Sequence, residues 1–332
     1  MVEEGQFSLR TRIRNNLISR AENLGKVAQP VAPLSNALLK NRPIRRLLDE
    51  TLHIAEKAPL PSFAPYRFSK WFHSHPKPSS LYRKVVYFHG CSTEYYEPRV
   101  GQAAVFVLER NGFEVIVPDQ NCCGLPLLSN GEFKAARKYH QGNVRKLIPW
   151  VKQGYAVVGT STSCILTLKE EAPELLEMWD EDSMLLAENT YDFNEFLLSL
   201  VETGNFNQDL KPLPLNLPYH VPCQYRAHLL GNPGMEILSH IPGLKLQPSN
   251  KDCCGVAGTY GYKKEKYQVS MAVGKELFEF VSSHPGKLVV CDSETCRWQI
   301  THVTGKMAIH PVELLAASYG NKDLKIEEIE SG

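Results

Sequence analysis

Two Cys-Cys-Gly triplets, Cys122-Cys123-Gly124 and Cys253-Cys254-Gly255, stand 131 residues apart in a chain of 332. Each is flanked by distant partners. Cys91 precedes the first triplet by 31 positions and Cys223 precedes the second by 30. Cys164 follows Cys123 by 41, and Cys296 follows Cys254 by 42. Eight of the nine cysteines therefore obey one duplicated pattern, with three intervals repeated to within a residue. Chance does not produce that, so the chain is read as two related lobes, each gathering four thiols from three separate loops. Thiols gathered in this way hold metal.

With 43% apolar residues the chain can bury two cores, one per lobe. Its net charge of +1 conceals a split: residues 1–84 carry 15 Lys/Arg against 6 Asp/Glu, and the remainder carries 22 against 30. No apolar run approaches the ~18 to 20 residues of a spanning helix, and no apolar signal core opens the chain. Nine cysteines are too few for a stapled secreted scaffold, and an odd number leaves one unpaired. These features point to a reducing cytoplasm and to a soluble or peripheral protein.

The first 83 residues read as a helical, basic docking arm without a core of its own. Between Ser8 and Val27, Leu9, Ile13, Leu17, Ala21 and Leu24 recur every three or four positions among Arg10, Arg12, Arg14, Arg20 and Lys26, the pattern of an amphipathic basic helix. A second helical stretch over 34–57 is interrupted at Arg42-Pro43, because the residue before proline is driven out of the helical region. Tyr66 to Phe72, aromatic and cationic, suits a headgroup zone or a protein surface.

From Lys84 the order strand, cysteine, helix recurs. Strands are expected at 85–88, 114–117 and 155–159 in a first lobe (84–210), then at 217–220, 243–246 and 288–290 in a second (211–332). The segment from Tyr191 to Val201 reads as a helix. This alternation predicts an α/β fold of two pseudo-symmetric lobes, each a parallel sheet flanked by helices, joined to the helical N-terminal arm. Ligands of such sheets collect where strands end, and every cysteine loop follows a strand.

What the thiols hold follows from spacing. A zinc site draws on closely spaced pairs, and no C-x-x-C occurs here. Adjacent cysteines point apart unless the backbone kinks, so they reach different atoms of a cluster more readily than one ion. Gly124 and Gly255 supply the left-handed turn for that kink. A vicinal disulfide would explain neither the distant cysteines nor the duplication. Zinc in a non-redox assembly protein remains the alternative to iron-sulfur. Cys291, at the end of a strand, is expected to be a buried core thiol. His89, His220, His228 and His310 lie near strand ends or cysteines, as hydrogen-bonded residues or as groups that tune a metal centre. His310-Pro311 marks a helix start.

The strings Phe88-His89-Gly90-Cys91, Cys122-Cys123-Gly124-Leu125-Pro126-Leu127, 253–265 (CCGVAGTYGYKKE) and Glu294-Thr295-Cys296 resemble the cysteine-rich CCG domain family. The likeness extends to 43–49 and is strongest to the family's glycerol-3-phosphate dehydrogenase C-subunit branch. It implies 4Fe-4S clusters of the noncubane kind, with Cys91, Cys122, Cys123 and Cys164 as one ligand set and Cys223, Cys253, Cys254 and Cys296 as the other. Two departures leave the cluster type open. The position three before each closing cysteine, a cysteine in the family pattern, is Ser161 in one lobe and Ser293 in the other, with Cys291 the candidate fifth ligand. The C-x2-C-x2-C-x3-C-P runs of the branch's ferredoxin region are missing, which predicts a truncated or split form with a separate ferredoxin-like polypeptide, or a different electron donor.

The resemblance implies a peripheral electron-transfer subunit on the cytoplasmic face of the inner membrane. It would take electrons from a flavoprotein dehydrogenase acting on glycerol 3-phosphate and pass them toward membrane quinone, with no nucleic-acid partner and no catalytic residue of its own. The second reading is a catalytic polypeptide like heterodisulfide reductase B, reducing a disulfide or quinone at its cluster. Neither a dinucleotide fingerprint, a Walker loop nor a nucleophile elbow is present.

Overall fold

The computed structural model describes residues 8–78, 83–324 and 326. Among the described residues, eight strands form two four-stranded sheets. The first contains β1 (Arg83–Tyr87), β2 (Phe113–Ile116), β3 (Val157–Gly159) and β4 (Thr190–Asp192) in the order β2-β1-β3-β4. The second repeats it with β5 (Asn216–His220), β6 (Lys245–Pro248), β7 (Leu288–Cys291) and β8 (Met307–Ile309) in the order β6-β5-β7-β8. Every pairing within these two sheets is parallel. Parallel strands need crossovers, and the helices Pro98–Arg110, Phe133–Val151 and Lys264–Ser283 occupy them.

Strand alternation decides what each sheet face touches. Val85 and Tyr87 of β1, with Leu217 and Tyr219 of β5 and Leu288 and Val290 of β7, enter one continuous core shared by the two lobes. The intervening Val86, Phe88 and Val157 face the opposite layer, where Cys122, Cys123 and Cys164 are buried. In the second lobe Val289 and Cys291 point in the same sense, towards Cys254 and Cys296. These buried cysteines thus lie on the face of each sheet opposite the shared core.

The six strands expected from the sequence are present, shifted by one or two residues. β4 is a correction to the sequence reading: Thr190–Asp192 pairs with β3, and the helix begins only at Phe193. Three residues carry too little pattern to be separated from a helix whose cap, Asp192, is also the strand's last residue.

The arm folds as the helices Leu9–Ser19, Ala21–Ala28, Ala32–Lys40 and Arg42–Leu52, with Pro43 in the first turn of the last. It spans both lobes. Arg14 pairs with Glu265 at 2.8 Å, Arg20 with Glu132 at 2.8 Å, and Ala55 donates its N–H to Tyr262 O. Its first two helices are amphipathic with the polar side inward: Arg14, Asn15, Ser19 and Glu22 are buried, while Leu9, Ile13, Leu17, Leu24 and Val27 are exposed.

Candidate metal centre

In each sheet the strand order reverses direction between the first and third strands, and the crevice beyond their carboxyl ends is the place where such folds bind ligands. Cys91 leaves β1 on the helix Gly90–Tyr95, Cys164 leaves β3 on Thr162–Leu166, and the first triplet follows β2. The same placement recurs for Cys223, Cys296 and the second triplet.

The structure brings each expected set together. Cys91 and Cys122 sulfurs lie 3.6 Å apart, and the Cys123 thiol lies beside those of Cys122 and Cys164. In the second lobe Cys254 and Cys296 sulfurs are 2.9 Å apart, Cys223 contacts Cys253, and Cys253 contacts Cys254. All nine cysteines are free. Gly124 and Gly255 adopt φ of +95° and +83°, the left-handed turn expected after each adjacent pair.

At the two triplets the electrostatics repeat with the geometry. Hydrogen bonds from Cys123 and Cys91 hold the Cys122 thiol well below its ordinary range. Those from Cys223 and Cys254, with the Gly255 N–H at 3.2 Å, lower Cys253 to about 3. Cys91, Cys123 and Cys254 are pushed up, chiefly because they donate to these thiolates. The first cysteine of each triplet is therefore held toward the thiolate, the form that binds metal, and in the second set Cys296 is lowered as well by hydrogen bonds from its neighbours.

The two centres differ at one position. Cys291 is fully buried in the apolar core on the cysteine face of β7, its thiol 3.8 Å from Ser293 O, which matches the buried core thiol expected of it. The equivalent position of β3 is Gly159, where a Cβ would stand 2.7 Å from Ile165 Cδ1 and 2.9 Å from Phe88 O. The first lobe has no room for a side chain there. Ser161 turns its hydroxyl to Glu294, 3.0 Å from each carboxylate oxygen, and its Oγ accepts the Cys164 N–H at 3.3 Å. Ser293 is buried, with Thr295 Oγ1 at 3.4 Å.

A cavity of ≈ 360 Å³ runs between the lobes. Cys91, Cys122, Cys123 and Cys164 of the first centre and Cys223 of the second line it, walled by Tyr96, Tyr262, Trp298 and Phe63 and roofed by Ile18, Leu24 and Leu39 of the arm. Among the described residues, no group of three or more His, Cys, Asp or Glu side chains is arranged to hold a lone metal ion. Eight thiols gathered in two sets, each with a thiol of lowered pKa and an apolar surround, fit the chemistry of a metal–sulfur cluster.

The four histidines are hydrogen-bonded. His89 Nδ1 contacts Gly90 O at 2.8 Å, His220 Nδ1 contacts Ser249 Oγ at 3.3 Å, and His228 Nε2 contacts Thr162 O at 3.1 Å. His310 caps the helix Pro311–Ser318 as expected, accepting the Val312 N–H at 3.0 Å. Sequence reasoning assigned no role to Glu22, whose carboxylate reaches the first triplet, nor to the buried Asp192, Asp292 and Tyr225. For Asp192, Asp292 and Tyr225 the only signal is an acidic or phenolic residue near a strand end, which is common, and Glu22, within the arm helix Ala21–Ala28, has not even that.

A sequence profile of the cysteine-rich CCG domain matches residues 85–169 and 217–301, one copy on each lobe. This chain belongs to that family. It is 36% identical over 310 residues to the C subunit of the anaerobic glycerol-3-phosphate dehydrogenase of Escherichia coli K12, covering 92% of this chain and 77% of that protein. Similarity extends to the B subunit of the fumarate reductase (CoM/CoB) of Methanothermobacter marburgensis, at 29% over 242 residues, 70% of this chain and 44% of that one. The lactate utilization protein A of Bacillus licheniformis is 32% identical over 196 residues, 57% of this chain and 79% of its own length. The CCG matches coincide with the two segments that carry the thiol quartets, so family membership and site geometry fall on the same residues.

Proposed function

We propose that this CCG-family chain is an electron-transfer subunit holding iron-sulfur clusters on Cys91, Cys122, Cys123 and Cys164 and on Cys223, Cys253, Cys254 and Cys296. The observation that carries the reading is the duplicated convergence of thiols from distant loops, with the first set and Cys223 of the second lining one cavity. Bound there, a cluster takes up and releases electrons singly. The protein's own part is to hold the thiolates at Cys122 and Cys253, exclude water with Tyr96, Trp298 and Phe63, and set two centres beside a common apolar space.

The similarity to the C subunit of a dehydrogenase supports a flavoprotein dehydrogenase as the donor, glycerol 3-phosphate as that partner's substrate, and membrane quinone as the acceptor. A separate ferredoxin-like polypeptide would complete the chain of carriers. The arm supports a peripheral position. Its outward face sets Leu9, Ile13 and Leu17 beside the exposed Arg10 and Arg12, which complements an anionic lipid surface. No helix of the described residues is long and apolar enough to cross a membrane.

Iron and acid-labile sulfide counts with low-temperature EPR on anaerobically purified protein test the centre. Cys122→Ser and Cys253→Ser should each remove one of two signals, and zinc without sulfide would reject the reading. Leu9→Glu with Ile13→Glu should abolish sedimentation with anionic liposomes, and undiminished binding would remove the arm from the membrane. The cavity favours a second reading, direct reduction of a disulfide or quinone at the first centre. Turnover of such a substrate by this chain alone, without a flavoprotein, would establish it.

A further inference from the structure

Four consecutive residues lead from β3 into Cys164, and side chains of the other lobe hold every one of them. His310 Nε2 donates to Thr160 O at 2.9 Å, its Nδ1 being committed to the Val312 N–H. The Glu294 carboxylate accepts from Ser161 Oγ, 3.0 Å to each oxygen, and from Ser163 Oγ at 3.2 Å. His228 Nε2 meets Thr162 O at 3.1 Å. The reverse also holds. Ahead of Cys296, Asp292 Oδ1 accepts from Asn194 of the first lobe at 2.8 Å. Arg297, paired with Glu97 of the first lobe at 2.5 Å, donates to Cys291 O at 3.0 Å and to Asp292 O at 2.6 Å.

We infer that each lobe clamps the loop carrying the other lobe's closing cysteine, so that the two centres form one coupled unit with Glu294 as its positioning residue. Glu294 is two residues before Cys296, and its carboxylate ends on the serines one and three residues before Cys164. One side chain thus joins the closing turns of both centres. It lies on the same inter-lobe cavity as Cys164 and Cys223, where displacement of either turn changes the other. The clamp also accounts for Ser161. A hydroxyl there donates to Glu294 while accepting the Cys164 N–H, which a cysteine held as a metal ligand would not do. At this position the chain has a positioning group where the family pattern has a thiol.

The inference rests on the ligand reading of Cys164 only for its spectroscopic arm. Glu294→Ala removes the acceptor, and Glu294→Gln retains a carbonyl oxygen for the serines. In the reduced, metal-free full chain, Glu294→Ala should raise the iodoacetamide rate of Cys164, followed by peptide mass spectrometry, about tenfold, the change expected for one lost charge-assisted hydrogen bond. In anaerobically purified Cys253→Ser protein, adding Glu294→Ala should shift or abolish the remaining EPR signal. Glu294→Gln should restore both readouts. An unchanged Cys164 rate together with an unchanged signal overturns the clamp. Should Glu294→Ala not fold, Ser161→Ala with Ser163→Ala removes the contact from the opposite side, and the same readouts decide in the same way. Because alkylation needs no metal, failure of the clamp is distinguishable from failure of the cluster reading, which the iron and sulfide counts decide.

Discussion

The Glu22 carboxylate of the arm accepts the backbone N–H of Cys122 at 2.9 Å, although 100 residues separate the two. It lies beside Lys26, whose ammonium is 2.5 Å from the other carboxylate oxygen. The first triplet is thereby fastened to a segment outside both sheets. Glu22→Ala leaves that buried amide without an acceptor, at a cost of ~1–3 kcal/mol. The variant should lose stability in urea by that amount and load less metal on the first centre than on the second. Glu22→Gln, which still accepts the N–H, should recover most of both.

The strands that carry the cysteines were legible because runs such as Val85-Val86-Tyr87 and Leu288-Val289-Val290 are apolar on both faces, as parallel strands between helical layers must be. The quartets were legible from duplicated spacing. The orientation of the arm was not. Apolar residues every three or four positions predict a helix with an apolar stripe, and here Leu9, Ile13 and Leu17 of that stripe face out while Ala21 and Leu24 border the inter-lobe cavity. Burial of Arg14, Ser19 and Glu22 depends on Glu265, Glu132 and the Cys122 amide, partners that no local pattern reveals. Glu294 was unreadable for the same reason, since its serines are 131 and 133 residues away.

The two triplet glycines should respond differently to substitution. At Gly255 a Cβ would stand 2.0 Å from the Ser270 carbonyl oxygen, a backbone atom that cannot move aside. At Gly124 the nearest atom is 3.7 Å away, so only the positive φ is penalised. Gly124→Ala should cost ~1–2 kcal/mol and still assemble its centre. Gly255→Ala should displace Cys253 and Cys254 and abolish the second centre, as metal counts and EPR on the two variants would show.

Arg297 and Glu97 form an ion pair between the lobes, with side chains only 3% and 14% exposed. Burial works against the guanidinium, but Glu97 and Glu294 more than compensate and raise its pKa. Removing one partner of such a pair leaves an uncompensated charge, which costs ~3–5 kcal/mol. Glu97→Ala should therefore destabilise more than Glu97→Gln, with a fall in the urea midpoint at unchanged m-value. A loss within about 0.5 kcal/mol, typical of a surface site, would show that the charge is hydrated.

Asp192 makes the stability of the fold depend on pH. It is buried at the end of β4, facing Asp292, with Tyr225 and the Asn194 N–H bonded to its Oδ1 and Glu195 of the same capping box nearby. Burial first, and the neighbouring Asp292 second, raise its pKa from 3.8 to about 8, against the opposing pull of the hydrogen bonds from Asn194 and Tyr225. Between these values the folded chain keeps a proton that the unfolded chain has released. Its contribution is fully present below about 3.8 and is lost as pH rises through about 8, with a slope of at most ~1.4 kcal/mol per pH unit from this group. Asp192→Asn stays neutral and keeps an oxygen for the Asn194 N–H, so it should flatten the profile between about pH 5 and 8 and exceed the wild type in stability at about pH 8. Calorimetric unfolding across that range decides it, because parallel profiles for the two proteins would mean that Asp192 is ionised in the fold and that its charge is neutralised from another direction.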